Sequence, residues 1–155
     1  MPNDLLKKMV DQNRMTSAYS FDRITDDNAS TRLTPSAASI GFIFRHIAET
    51  INLFCQFLGV PTDVQNTTIG RTDEGQGTDI QQSRRLVEEG FAKLYTLVET
   101  RPDDYWGGDI ETPFFGTIPR IRLFAHTLFH NSHHAGQIAL TLSRGSKPES
   151  GDPKQ

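Results

Sequence analysis

A chain of 155 residues is the length of one ordinary domain and can bury a core without a structural metal, while its single cysteine, Cys55, excludes an internal disulfide. Sixteen Lys and Arg against nineteen Asp and Glu leave a formal charge of −3 with no basic run or stripe, which argues against nucleic acid as a partner. No apolar stretch approaches the roughly 20 residues that span a bilayer, and the first residues carry no signal-peptide pattern, so no membrane partner and a cytoplasmic location are expected.

Helical periodicity dominates, and strand-like alternation is hard to find. Leu5, Leu6, Met9, Val10, Met15, Ala18 and Tyr19 recur at three- and four-residue spacing, which predicts an amphipathic helix over 3–21 with Pro2 and Asp4 suited to its first turn. Residues 22–33 are polar. Thr34-Pro35-Ser36 then offers a start for a second helix over 36–58, stopped by Gly59 and Pro61, whose Ile40, Phe44, Ile47, Ile51, Phe54 and Leu58 form one core stripe. The Gly-, Thr- and Asp-rich run 59–78 reads as a long surface loop.

Asp79 can cap a third helix over 79–100, with Leu86, Val87, Gly90, Phe91, Leu94, Leu97 and Val98 on its buried side and Arg101-Pro102 at its end. Tyr105, Trp106, Phe114 and Phe115 make 101–116 an aromatic connection, too irregular for a helix, that covers one end of the domain. A fourth helix is predicted over 117–143 with Pro119 in its first turn, followed by a tail, 146–155, whose Pro, Ser, Gly and charge predict disorder. Four striped helices of about 20 residues must bury their stripes against one another, so the expected fold is all-α, a four-helix bundle in a single domain over 1–145.

The histidines carry the strongest chemical signal. Four of the five, His126, His130, His133 and His134, fall within nine residues of the fourth predicted helix, and His46 lies on the second. Imidazoles four residues apart share one helix face and can converge on a metal ion, but His126/His130 and His130/His134 both have that spacing, and geometry does not choose between them. At about 100° per residue from Ile121, the stripe of Phe124, Leu128, Ala135, Ala139 and Leu142 centres near 320–340°, whereas His130 and His134 fall near 180° and 220°, off the main core face. His46 lies at the flank of its own stripe, so a site made from these residues would occupy a groove or one end of the bundle. Asn131 follows His130 where a zincin has glutamate, and the fourth helix has no Glu-x-x-His, which argues against zincin and di-iron chemistry.

The run His130-Asn-Ser-His-His134-Ala-Gly-Gln137-Ile, together with Phe44-Arg-His46-Ile-Ala-Glu-Thr, resembles the signature of the DinB/YfiT-like family of metalloenzymes across almost the whole chain. The resemblance implies a four-helix bundle that binds a divalent metal, usually nickel or zinc, through His46, His130 and His134, leaving His126 and His133 out of the ligand set. It further implies a metal-dependent hydrolase or a thiol-dependent transferase acting on a small-molecule substrate, in the latter case with a low-molecular-weight thiol, and a homodimer. A noncatalytic bundle that binds a metal or a small ligand, or serves as a stress-associated interaction protein, is the alternative.

Three protein-bound imidazoles leave coordination positions open, as in catalytic zinc sites. Glu49, one turn after His46, is the candidate acid–base group, and Gln137 is placed to hydrogen-bond a ligand. Cys55 lies beside the apolar stripe and reads as an inert buried thiol. Arg45, Arg120 and Arg122 are the cations available to a thiol pocket.

Overall fold

The computed structural model describes residues 2–149, which form helices α1 (Pro2–Phe21), α2 (Ile40–Phe57), α3 (Ile80–Thr100) and α4 (Arg120–Arg144). A 3-10 turn (Asp103–Gly107) and an antiparallel hairpin, β1 (Asp109–Thr112) with β2 (Gly116–Pro119), stand between α3 and α4. α2 packs on α3 and α4, and α1 packs on the same two helices, so α1 and α2 sit on one diagonal of the bundle and α3 and α4 on the other. One apolar cluster runs through all four, with Phe44, Phe91 and Phe124 among its largest fully buried side chains. Among the described residues no helix is long and apolar enough to cross a membrane.

Two element boundaries differ from expectation. The second helix begins not at Thr34-Pro35-Ser36 but after Ser39, whose hydroxyl accepts from the Phe42 N–H at 3.2 Å, because Arg32 pairs with Ser39 and holds the intervening residues as a loop. The fourth begins after Pro119 rather than at Thr117. Residues 116–119 instead pair as β2, where Ile118 is buried and registers against Ile110, and Gly116 takes a positive φ of 64° at the turn. The 101–116 connection thus holds a hairpin, whose two four-residue strands are too short for alternation to show in the sequence. Trp106 does cover the bundle end: it is buried, packs on Phe124 and donates its indole N–H to Asn3 at 2.8 Å.

The first helix forms where expected but turns a different face inward. Leu5, Met9, Met15 and Tyr19 are exposed, and the buried row is Leu6, Val10, Asn13, Ser17 and Ser20. Asn13 and Ser20 are accepted there because α4 supplies partners: the Asn13 amide donates to the Leu128 carbonyl and to the Ser132 hydroxyl, each at 2.9 Å, and Ser20 donates to the Ala135 carbonyl at 3.0 Å, whereas the buried Ser17 hydroxyl has no partner among the described residues. The tail expected to be disordered lies mostly outside the described residues, in 150–155, but Ser146 exchanges two backbone hydrogen bonds of 3.0 Å with Arg32.

The α2–α3 loop folds back over the start of α2, and two glycines allow it. A Cβ on Gly77 would stand 1.9 Å from the Gly41 carbonyl oxygen, and one on Gly41 would stand 2.6 Å from that of Gly77. Asp73 fastens the same loop by accepting from the Ser39 N–H at 2.8 Å and pairing with Arg32 at 3.0 Å. This return of the loop brings Thr67 and Thr68 beside the middle of α2.

Candidate metal centre

Packing of α2 against α4 sets His46 opposite His130 and His134. The three rings pack at centroid separations of 4.4–5.0 Å, and one nitrogen from each lies within 4.8 Å of the others, a cluster able to hold a metal ion. The Nε2 atoms of His46 and His130 are 3.1 Å apart. Two imidazoles bound tetrahedrally at about 2.0–2.1 Å put their nitrogens roughly 3.3 Å apart, so the pair already has nearly the spacing a shared ion requires. α4 is turned further than the sequence stripe suggests. Thr127, Asn131, Ile138 and Thr141 are buried along with Phe124 and Ala135, which moves the inward face to about 265° on the same wheel and within about 45° of His134.

The far side of each ring decides which nitrogen is free. The Thr68 hydroxyl donates its one proton to the Glu49 carboxylate at 2.7 Å, so at 3.1 Å from His46 Nδ1 it can only accept. Thr50 donates to the His46 carbonyl at 2.7 Å and therefore accepts from His130 Nδ1 at 3.3 Å. Gln137 Oε1 accepts from His134 Nδ1 at 2.6 Å. All three Nδ1 atoms carry the proton, and all three Nε2 lone pairs are left for the centre. No proton then stands between Nε2 of His46 and of His130, an arrangement of facing lone pairs that a cation satisfies.

A family model of the DinB superfamily matches residues 9–138. The chain belongs to the DinB superfamily. Its fold is similar to the crystal structure of a DinB-like protein from Bacillus cereus ATCC 10987, with a TM-score of 0.70 at 16% identity over 88% of this chain and 89% of that one. A conserved protein from Enterococcus faecalis gives a TM-score of 0.67 at 13% identity over 90% of this chain and 96% of that one. No curated protein sequence matches significantly.

In this DinB bundle the imidazoles are neutral at physiological pH. Burial lowers the His46 pKa to about 4 and that of His130 to about 3, with neighbouring histidines adding to the effect, and burial also lowers His134 against the opposing pull of Gln137. Of the remaining histidines, His126 packs between Phe54 and Phe115 with its centroid 5.9 Å from that of His130, and His133 is exposed against Phe129. Neither joins the cluster.

Glu49 is buried, and both its carboxylate oxygens accept hydrogen bonds, one from the Thr67 hydroxyl at 2.6 Å and the other from the Thr67 N–H and the Thr68 hydroxyl. Cys55 is fully buried with its thiol pushed up to about 12 by burial, consistent with an inert side chain. Arg45 is committed to Ser83, Asp79 and Gln82 on the α3 side, Arg120 to the Tyr105 carbonyl, and Arg122 lies over Phe115. Thr50, Thr67 and Thr68 escaped the sequence reading. Thr50 was within reach of it, four residues after His46, whereas the threonines of the loop meet Glu49 only through the tertiary fold.

Proposed function

We propose that this DinB-superfamily protein is a metalloenzyme in which His46, His130 and His134 bind one divalent ion, nickel or zinc, for hydrolysis of a small-molecule substrate. The observation that carries the reading is the convergence of three imidazoles, each with its Nδ1 engaged by an oxygen outside the cluster. Three imidazoles without a carboxylate suit borderline divalent ions and leave open positions. Bound there, such an ion supplies Lewis acidity and lowers the pKa of a coordinated water toward about 7.

The rest falls to the chain's own groups. Thr50, Thr68 and Gln137 hold the three rings in the donor tautomer, and the edge of Phe54, 5.6 Å from His130 between centroids, walls one side of the site from water. Glu49, whose two oxygens are filled by the loop, acts as a positioning residue: it orients Thr68, and through it His46. A thiol-dependent transferase fits less well, since Arg45 and Arg120 are engaged elsewhere and Arg122 sits over the hairpin rather than beside the imidazoles.

The test compares metal-loaded wild type with His130→Ala on ester, amide and electrophile-plus-thiol substrates, with metal content measured by elemental analysis. Hydrolysis that is lost together with the metal in His130→Ala is the expected result. Equal activity in the variant would exclude metal-centred catalysis, and turnover only with added thiol would move the assignment to a transferase. Retained metal with no turnover would favour the noncatalytic bundle.

A further inference from the structure

Beside the histidines, on the side away from Phe54, a cleft of about 420 Å³ runs between the start of α2 and the end of α4. His46 and His134 form part of its wall, and the rest is mostly apolar: Leu33, Ala37, Ala38, Phe42, Ile43 and Leu140. Among the described residues no Asp, Glu, Lys or Arg lines it. Its other polar groups are largely spent: the Thr68 hydroxyl is shared between Glu49 and His46, and that of Thr141 donates to the Gln137 carbonyl at 2.8 Å. The Gln137 Nε2 amide is the polar donor left over, since its Oε1 is held by His134.

A cleft of this size, apolar except for one amide and bordered by two of the three clustered imidazoles, has the make-up of a small-molecule site in which a few polar groups fix orientation and apolar walls hold the body. A charged substituent entering it would lose water and find no counter-ion. We propose that this cleft takes the uncharged, apolar acyl or alkyl-aryl body of the substrate, with the scissile polar group at the histidine cluster and within reach of the Gln137 amide. The inference rests on the metalloenzyme reading for where the polar group sits, but not for what the cleft accepts. It counts against substrates whose non-reacting part is a carboxylate, a phosphate or an ammonium group.

Two measurements separate the cleft from the metal. On metal-free protein, octanamide is expected to shift the methyl resonances of Leu33, Ile43 and Leu140, and unmoved methyls would overturn the proposal whatever the metal does. On zinc-loaded protein, calorimetry compares acetohydroxamate, octanohydroxamate and a hydroxamate of equal chain length ending in a carboxylate. Each methylene buried can tighten binding up to about four-fold, so octanohydroxamate is expected to bind at least about ten-fold more tightly than either of the others.

Leu140→Lys tests the same cleft by charge, because Leu140 is 49% exposed and a lysine there keeps its ammonium in water while facing the opening. The variant is expected to narrow or invert the preference against the carboxylate-ended chain. Equal binding of all three hydroxamates to the wild type, each lost in His130→Ala, would overturn the cleft and leave the metal centre standing. Failure to retain zinc alongside octanamide-shifted methyls would do the reverse.

Discussion

Thr68 is where the site depends on a single hydroxyl proton. Because that proton goes to Glu49, the His46 ring must donate to Thr68 and offer its other nitrogen inward. Thr68→Val keeps the shape and removes both bonds, and partners of this kind are worth about 10–100-fold in metal affinity. A drop of that size in zinc affinity, measured by competition with a chromogenic chelator, is expected for Thr68→Val, with His126→Ala and His133→Ala near wild type. Glu49→Gln should also weaken zinc binding, while the pH profile of any hydrolysis keeps both limbs. Loss of one limb would make Glu49 an acid–base group instead of a positioning one. The depressed histidine pKa values set a second expectation. Folded His46 and His130 titrate near 4 and 3, below the ordinary 6.5, so as pH falls past about 6.5 the unfolded chain takes up protons that the folded one refuses. Metal-free protein should therefore lose stability steadily from about pH 6.5 toward pH 4, seen as a falling melting temperature, and His130→Ala should flatten that slope.

At the scale of elements, the α2–α3 loop is the piece whose placement matters most to the site and which the sequence discloses least. It reaches Glu49 and His46 only because Gly77 and Gly41 meet backbone to backbone. Gly77→Ala forces them apart at a cost of about 1–3 kcal/mol, the range typical of overpacking, and lifts Thr67 and Thr68 with the loop. The expected signature is a lower melting temperature together with weaker zinc binding; destabilisation with zinc affinity intact would show that the loop does not tune the centre. The stripes of α2 and α3 were legible because burial there follows apolar spacing, from Ile40 to Leu58 and from Val87 to Val98. α1 misled because Asn13, Ser17 and Ser20 took inward positions and left Leu5, Met9 and Tyr19 outside. The buried polar residues of α4 disguised its inward face in the same way. The histidine cluster was legible as a spacing on one helix plus a family signature, whereas the hydrogen bonds that set its tautomers depend on a loop no local pattern describes.

Taken as a whole molecule, the bundle leaves apolar surface on the side where α1 meets α4. A groove of about 690 Å³ opens there, its apolar wall made by Leu5, Met9, Leu128 and Phe129, with Lys8 the one charged wall residue among the described residues. Phe129, 64% exposed, belongs to the same patch. A projecting ring and a groove on one patch suit a second copy of the chain, because a two-fold axis through the patch lets each Phe129 enter the other's groove. The homodimer implied by the family resemblance is therefore expected to form through this face rather than through the hairpin end. Sedimentation velocity at high micromolar concentration should show a dimer for the wild type and a monomer for Phe129→Glu. Since Phe129 is mostly solvated in one chain, the substitution spares the core, and the variant should retain its helical circular dichroism and its zinc affinity. A wild type that stays monomeric at that concentration would remove the dimer, and a dimer that survives Phe129→Glu would place it on another face.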